Sequence, residues 1–176
     1  GHPILSLSLG SLVSGDVELM RRLIVTLGDS PYRVIVSKGP QHELLELPGN
    51  MIGEEFLPQT SVLPQVDLVI THGGNNTVTE CLNFGKPMIV LPVFWDQYDN
   101  AQRVDETGFG ARLDTYGHAP DELTGAIGRV LGDGELKRRL ASVSHRLQAS
   151  PGTERAADHL ERTADDPDGI ARSTNR

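Results

Sequence analysis

Short, dense apolar runs alternate along this chain with longer stretches in which apolar residues return every three or four positions. The runs are ILSLSL at 4–9, RVIVS at 33–37, MIGEEF at 51–56, DLVIT at 67–71 and PMIVL at 87–91, with a brief GARL at 110–113. Leucine-rich and β-branched runs of this length predict strands buried on both faces. Between them, Leu19, Leu23, Ile24 and Leu27 give one apolar stripe to a helix over 17–27. A second helix opens around Asn76-Thr77 and stops at Gly85-Lys86-Pro87, a glycine-then-proline ending. Further helices are predicted over about 98–106, 120–131, 135–148 and 153–162. Parallel strands need crossover connections, so this alternation predicts an α/β fold: a doubly wound parallel sheet in one Rossmann-like domain over residues 3–163. Residues 164–176 have little apolar content and are expected to form a disordered tail.

Composition narrows the function more than the fold. The chain has 176 residues, enough for one full core and too few for two ordinary domains. A formal net charge of -8 and a pI near 5.2 exclude a broad phosphate-tracking surface for nucleic acid or an anionic membrane. No apolar run approaches the ~20 residues that span a bilayer, and no signal peptide opens the sequence, so the expected location is cytoplasmic. The single cysteine, Cys81, falls among apolar residues at helical spacing and reads as core. The sequence starts Gly1-His2 and runs at once into a strand, which is expected of a residual tag or of a piece of something longer.

In doubly wound sheets ligands sit where the chain leaves the carboxyl ends of the strands. The polar clusters fall there: Gly10-Ser11, Leu57-Pro58-Gln59, His72 to Thr77, and Asp96-Gln97. Gly73 and Gly74 leave no side chain in the way of a ligand, and a helix opened by Asn76 and Thr77 offers free N–H groups and a positive dipole end to an anion. His72 either donates to that anion or merely caps the strand end. Glu80 lies off the buried stripe of Val78, Cys81 and Leu82, about a turn from Asn76 and Thr77. Its carboxylate can accept from both hydroxyls of a ribose, or Thr77-x-x-Glu80 is a capping box with no ligand at all. Asp96 has the same ambiguity, because aspartate is a common helix N-cap.

H-G-G-N-N-T-V-T-E at 72–80, followed by Asp96-Gln97, resembles the donor-binding signature of the UDP-glycosyltransferase superfamily, H-x-G-x-N-[S/T]-x-x-E then D-Q. FLPQ at 56–59 resembles the W-x-P-Q segment of the same family, and SLGSL at 8–12 its first loop, so the likeness covers roughly residues 4–160. The resemblance implies the C-terminal half of a two-domain GT-B glycosyltransferase. It places His72, Gly74, Asn76 and Thr77 on the diphosphate of a UDP- or dTDP-sugar, Glu80 on the ribose, and Asp96 with Gln97 on the hydroxyls of the sugar. Phe56 would stack on the base, Leu57 would pair with it through backbone, Gln59 would assist, and Ser11 would touch the phosphate. Phe56 stands where Trp is frequent, which leaves the base open, and Trp95 reads as pocket wall. The implied chemistry is inverting and needs no metal cofactor, with the helix end stabilising the leaving diphosphate. Asp166-x-Asp168 imitates a metal motif but sits in the polar tail.

The resemblance also defines what is missing. In the family the general base and the small-molecule acceptor belong to the N-terminal domain, and His2, His42, His118, His145 and His159 have no partner motif that would make one of them that base. No catalytic residue is expected in this chain, which alone should be inactive. Three readings follow: the donor-binding domain of a longer transferase, a natural subunit completed by a partner chain, or a dinucleotide-binding Rossmann domain. GSLVSG after the first strand lacks G-x-G-x-x-G, which disfavours the last.

Overall fold

The computed structural model describes residues 1–150 and 152–165. Six strands form one parallel sheet in the order β3-β2-β1-β4-β5-β6: β1 (Ile4–Ser8), β2 (Arg33–Ser37), β3 (Met51–Glu54), β4 (Leu68–Thr71), β5 (Met88–Val90) and β6 (Gly110–Arg112). This is the order of a doubly wound dinucleotide-binding sheet, with the direction of winding reversing between β1 and β4.

Alternation along the central strands divides the core in two. Leu5, Leu7, Val34, Val36, Leu68, Ile70 and Ile89 pack with Leu19, Leu23 and Leu27 of α2 (Val17–Gly28) and with Leu123, Ala126 and Ile127 of α6 (Pro120–Gly132). Val69, Met88 and Val90 point the other way, onto Cys81 of α4 (Asn75–Asn83) and Ala101 and Val104 of α5 (Asp96–Glu106). Burial of both faces is what the uninterrupted apolar strands required.

Two helices end in the same device. After α4, the N–H of Lys86 donates to Cys81 O at 2.8 Å and that of Gly85 to Leu82 O at 3.2 Å, while Gly85 takes φ 64°. After α5, Phe109 donates to Val104 O and Gly108 to Asp105 O, both at 2.9 Å, with Gly108 at φ 63°. These are Schellman closures, and each turns the chain straight into the next strand. α7 (Gly134–Gln148) then packs against α4, where Ser144 Oγ and Gln148 Nε2 both donate to Asn83 O. α8 (Gly152–Asp165) buries none of its residues and includes the first two positions expected in the tail; residues 166–176 lie outside the described residues.

The predicted strands and long helices recur with shifts of one to three residues at their ends. Two single-turn helices were not foreseen: α1 (Gly10–Val13) after β1 and α3 (Gln59–Val62) after β3. No described helix is long and apolar enough to cross a membrane.

Candidate functional site

Register brings the four motifs to one edge of the sheet. Ser8 is level with Thr71 and Thr71 with Val90, so Gly10-Ser11, His72-Gly73-Gly74 and the 91–96 loop leave the sheet side by side. Ser37 pairs with Glu54 at the ends of β2 and β3, and Phe56 follows two residues on. The crevice between β1 and β4 lies at the centre of this row.

His72 occupies that crevice, walled by glycine on both sides. A Cβ added to Gly10 would come 2.7 Å from His72 Cε1, and one added to Gly74 would come 2.6 Å from Nε2. Neither position tolerates a side chain without moving the ring. Burial holds the imidazole below its ordinary value of 6.5, with the Asp96 carboxylate pulling the other way. The ring is therefore neutral at pH 7, and an anion placed against it would raise its affinity for a proton.

α4 begins beside this ring, with Gly74 as its cap residue and no side chain closing its first turn. Gly73, at φ 83°, donates its N–H to Thr71 Oγ1 at 3.2 Å, and Val78 donates to Gly74 O at 3.0 Å. The N–H groups of Asn75, Asn76 and Thr77 have no partner among the described residues. Three free donors and the dipole end thus face the crevice.

This start removes the capping-box reading. Thr77 and Glu80 are the third and sixth residues of α4, and neither side chain caps its first turn. Both instead meet Gln59: its Nε2 donates to Thr77 Oγ1 at 3.3 Å and to Glu80 Oε2 at 2.6 Å. A capping box needs a non-helical Thr at the boundary, and here glycine takes that place because it alone leaves room for the His72 ring.

Asp96 is not a cap either. α5 opens at Asp96, two residues before the predicted start, with Trp95 as the cap residue and no side-chain bond. Asp96 Oδ2 accepts from Asn100 Nδ2 at 3.2 Å, and the same amide donates to Gly73 O at 2.9 Å, which joins the two loops. Gln97 is buried, and its Oε1 accepts from the N–H groups of Val93 (2.9 Å) and Phe94 (3.2 Å). Its carbonyl end shapes the loop, which leaves only Nε2 for a ligand. Gln97 N–H also donates to Phe94 O at 3.2 Å, closing a turn whose second residue, Trp95, has φ 54° and ψ -133°. That is the glycine position of a type II′ turn, and holding a side chain there costs roughly 1–3 kcal/mol.

Phe56 and Ser11 are exposed and Leu57 is half-buried, so the row is an open face lined at its ends by aromatic side chains. Sequence reasoning missed the brace behind it. Arg22 of α2 donates to the carbonyls of Thr115 and Tyr116, and Thr115 Oγ1 donates to Pro92 O at 2.6 Å. Arg22 reads locally as the solvent side of a helix, and its partners lie more than ninety residues away. Cys81 is fully buried and its thiol is pushed up to about 12, as a core residue should be. A cavity of about 570 Å³ between α2 and residues 43–48 contains none of these motifs. Among the described residues no three His, Cys, Asp or Glu side chains cluster as metal ligands, and Asp166-x-Asp168 lies outside them.

The sequence profile of the erythromycin biosynthesis protein CIII-like C-terminal domain matches residues 21–163. The chain belongs to this family. It is 33% identical over 163 residues to NDP-glycosyltransferase YjiC of Bacillus subtilis (strain 168), covering 91% of this chain and 42% of that protein. It is 31% identical over 162 residues to the oleandomycin glycosyltransferase of Streptomyces antibioticus, covering 90% of this chain and 38% of that one. Among solved structures, the glycotransferase of kitacinnamycin superposes with a TM-score of 0.84 at 31% identity, over 92% of this chain and 43% of the other. The fold and family expected from the motifs, the C-terminal half of a GT-B glycosyltransferase, are thus the ones found, and the chain spans about two fifths of the length of these three relatives.

Proposed function

We propose that this domain binds the nucleoside diphosphate sugar, UDP- or dTDP-linked, of an inverting glycosyltransferase that works in the cytoplasm. The diphosphate lies against the first turn of α4, on the N–H groups of Asn75 to Thr77, with His72 donating to it from the crevice and Ser11 from the opposite loop. Glu80 takes the ribose diol of a UDP-sugar or the 3′-hydroxyl of a dTDP-sugar, and Phe56 stacks on the base above the backbone of Leu57. Asp96 accepts from the hydroxyls of the sugar, and Gln97 Nε2 donates to them.

The observation that supports this most is the bond from Gln59 to Glu80. It fixes a half-buried carboxylate one turn from three free amide donors, and it links the base-side motif to the phosphate-side motif through one amide. The start of α4 at Gly74 leaves Glu80 with no capping role. In the transfer, the acceptor oxygen bonds to the anomeric carbon from the face opposite the diphosphate. The diphosphate leaves with the bonding electron pair, and the helix end and protonated His72 stabilise its charge. The acceptor proton goes to a base on a second domain or partner chain, which also holds the small-molecule acceptor. No metal is required, since these donors face the charge that a metal would otherwise neutralise.

Calorimetry in the presence of EDTA tests this, using UDP, dTDP, their glucose conjugates and NAD. Binding of at least one of the first four, with NAD weaker, is the expected result. NAD binding with silence from the other four would overturn the reading, and binding restored only by a divalent cation would overturn its metal independence.

A further inference from the structure

Trp95 holds a conformation that nothing in the fold's own packing explains. It has the only positive φ of any described non-glycine residue, at 54°, in a turn position suited to glycine. Its side chain gains little burial in return: it is 79% exposed and touches the Phe94 ring edge-on, 4.8 Å between centroids. The turn is nonetheless rigidly held. Gln97 Oε1 accepts two of its backbone N–H groups, Gln97 N–H closes it, and Tyr98 Oη donates to Val93 O at 3.1 Å. Strain retained by such a scaffold with so little burial in return is the kind that clusters at sites that meet a ligand.

We propose that Trp95 is a specificity-determining residue for the donor, its indole packing against the apolar C–H face of the sugar ring while the adjacent Asp96 binds the hydroxyls. This rests on the donor-site reading above. An aromatic plane beside an acceptor carboxylate matches a sugar's two kinds of surface, one of C–H groups and one of hydroxyls. The pairing favours sugars with an extended apolar face, so the indole contributes to the sugar and nothing to the nucleotide.

Trp95 is the only tryptophan in the chain, so its fluorescence reports on this contact alone. The experiment titrates this 176-residue chain with UDP, UDP-glucose, dTDP and dTDP-glucose, following emission and affinity together. The sugar conjugates are expected to shift or quench the emission, and the bare nucleotides to leave it nearly unchanged. Trp95→Gly should weaken the conjugates by roughly 5- to 10-fold, the size of an aromatic packing contact, and leave UDP and dTDP affinity as it was. Trp95→Phe should keep most of the sugar's contribution. Trp95→Gly should also melt no lower than the original, since it releases the turn. Nucleotide binding with no sugar-dependent change in emission, or Trp95→Gly weakening nucleotide and conjugate equally, overturns the proposal and leaves the donor site standing. Absence of all binding overturns both.

Discussion

Glu80 lies within α4 and His72 just before it, and a bound nucleotide would act on them differently. Glu80 is held by Gln59 before any ligand arrives, so its part in folding is one hydrogen bond that an amide can also make. Glu80→Gln should weaken UDP binding roughly 10- to 100-fold, as two charge-assisted bonds to the ribose diol are lost, and dTDP binding less, because deoxyribose offers it one hydroxyl. Its melting temperature should fall by no more than about 2–4 °C, the shift that 1 kcal/mol gives in a domain of this size. A large fall in melting temperature with unchanged affinity would show Glu80 to be structural. His72 changes protonation instead. Its proton affinity is lowered by burial and rises against a diphosphate, so binding takes up a proton. Affinity for UDP-glucose should therefore increase as pH falls through the bound-state pKa, and level off below the free-state value, which lies under 6.5. His72→Gln should flatten this profile; an unchanged profile would remove His72 from the phosphate contacts.

At the scale of elements, the ends of helices decide both stability and site. Gly85 closes α4 at φ 64°, and a Cβ there would sit 3.3 Å from Ser144 Cβ on α7. Gly85→Ala should destabilise the domain by about 1–2 kcal/mol, the cost of holding an L-residue in the left-handed region, and lower its melting temperature. Nucleotide affinity well below that temperature should not change, because the first turn of α4 is untouched. The same contrast explains which boundaries were legible in the sequence. Gly85-Lys86-Pro87 announced the end of α4 because a Schellman closure depends on local chemistry alone. The start of the same helix did not: Thr77-x-x-Glu80 satisfies the local capping rule, yet Gly74 is the cap because the His72 ring fills the space above it. α5 was placed two residues late for a related reason, since no local rule puts a tryptophan at φ 54°. The single-turn helices α1 and α3 are too short to show a period.

The whole molecule was more legible than its parts. Parallel strands with crossover helices leave few arrangements, so apolar runs and punctuation were enough for the sheet and for the edge on which the motifs fall. What spacing could not show is how distant segments hold that edge together: Arg22 to the 115–116 carbonyls, Thr115 to Pro92, Asn100 to Gly73, Gln59 to Glu80. Each joins residues at least twenty-one positions apart through side chains that read locally as solvent-facing. They make the site a property of the assembled sheet, with the α4 helix end at its floor.

The central claim is that the diphosphate of a nucleotide sugar rests on the first turn of α4, in the crevice between β1 and β4. A backbone amide chemical-shift titration of this chain with UDP-glucose and dTDP-glucose tests it most directly. Saturating shifts are predicted at Ser11 and at Gly73 through Thr77, with Glu80 and Asp96 following at the same ligand concentration. Saturating shifts confined to the groove between α2 and residues 43–48, with the amides of Asn75, Asn76 and Thr77 unmoved, would contradict it.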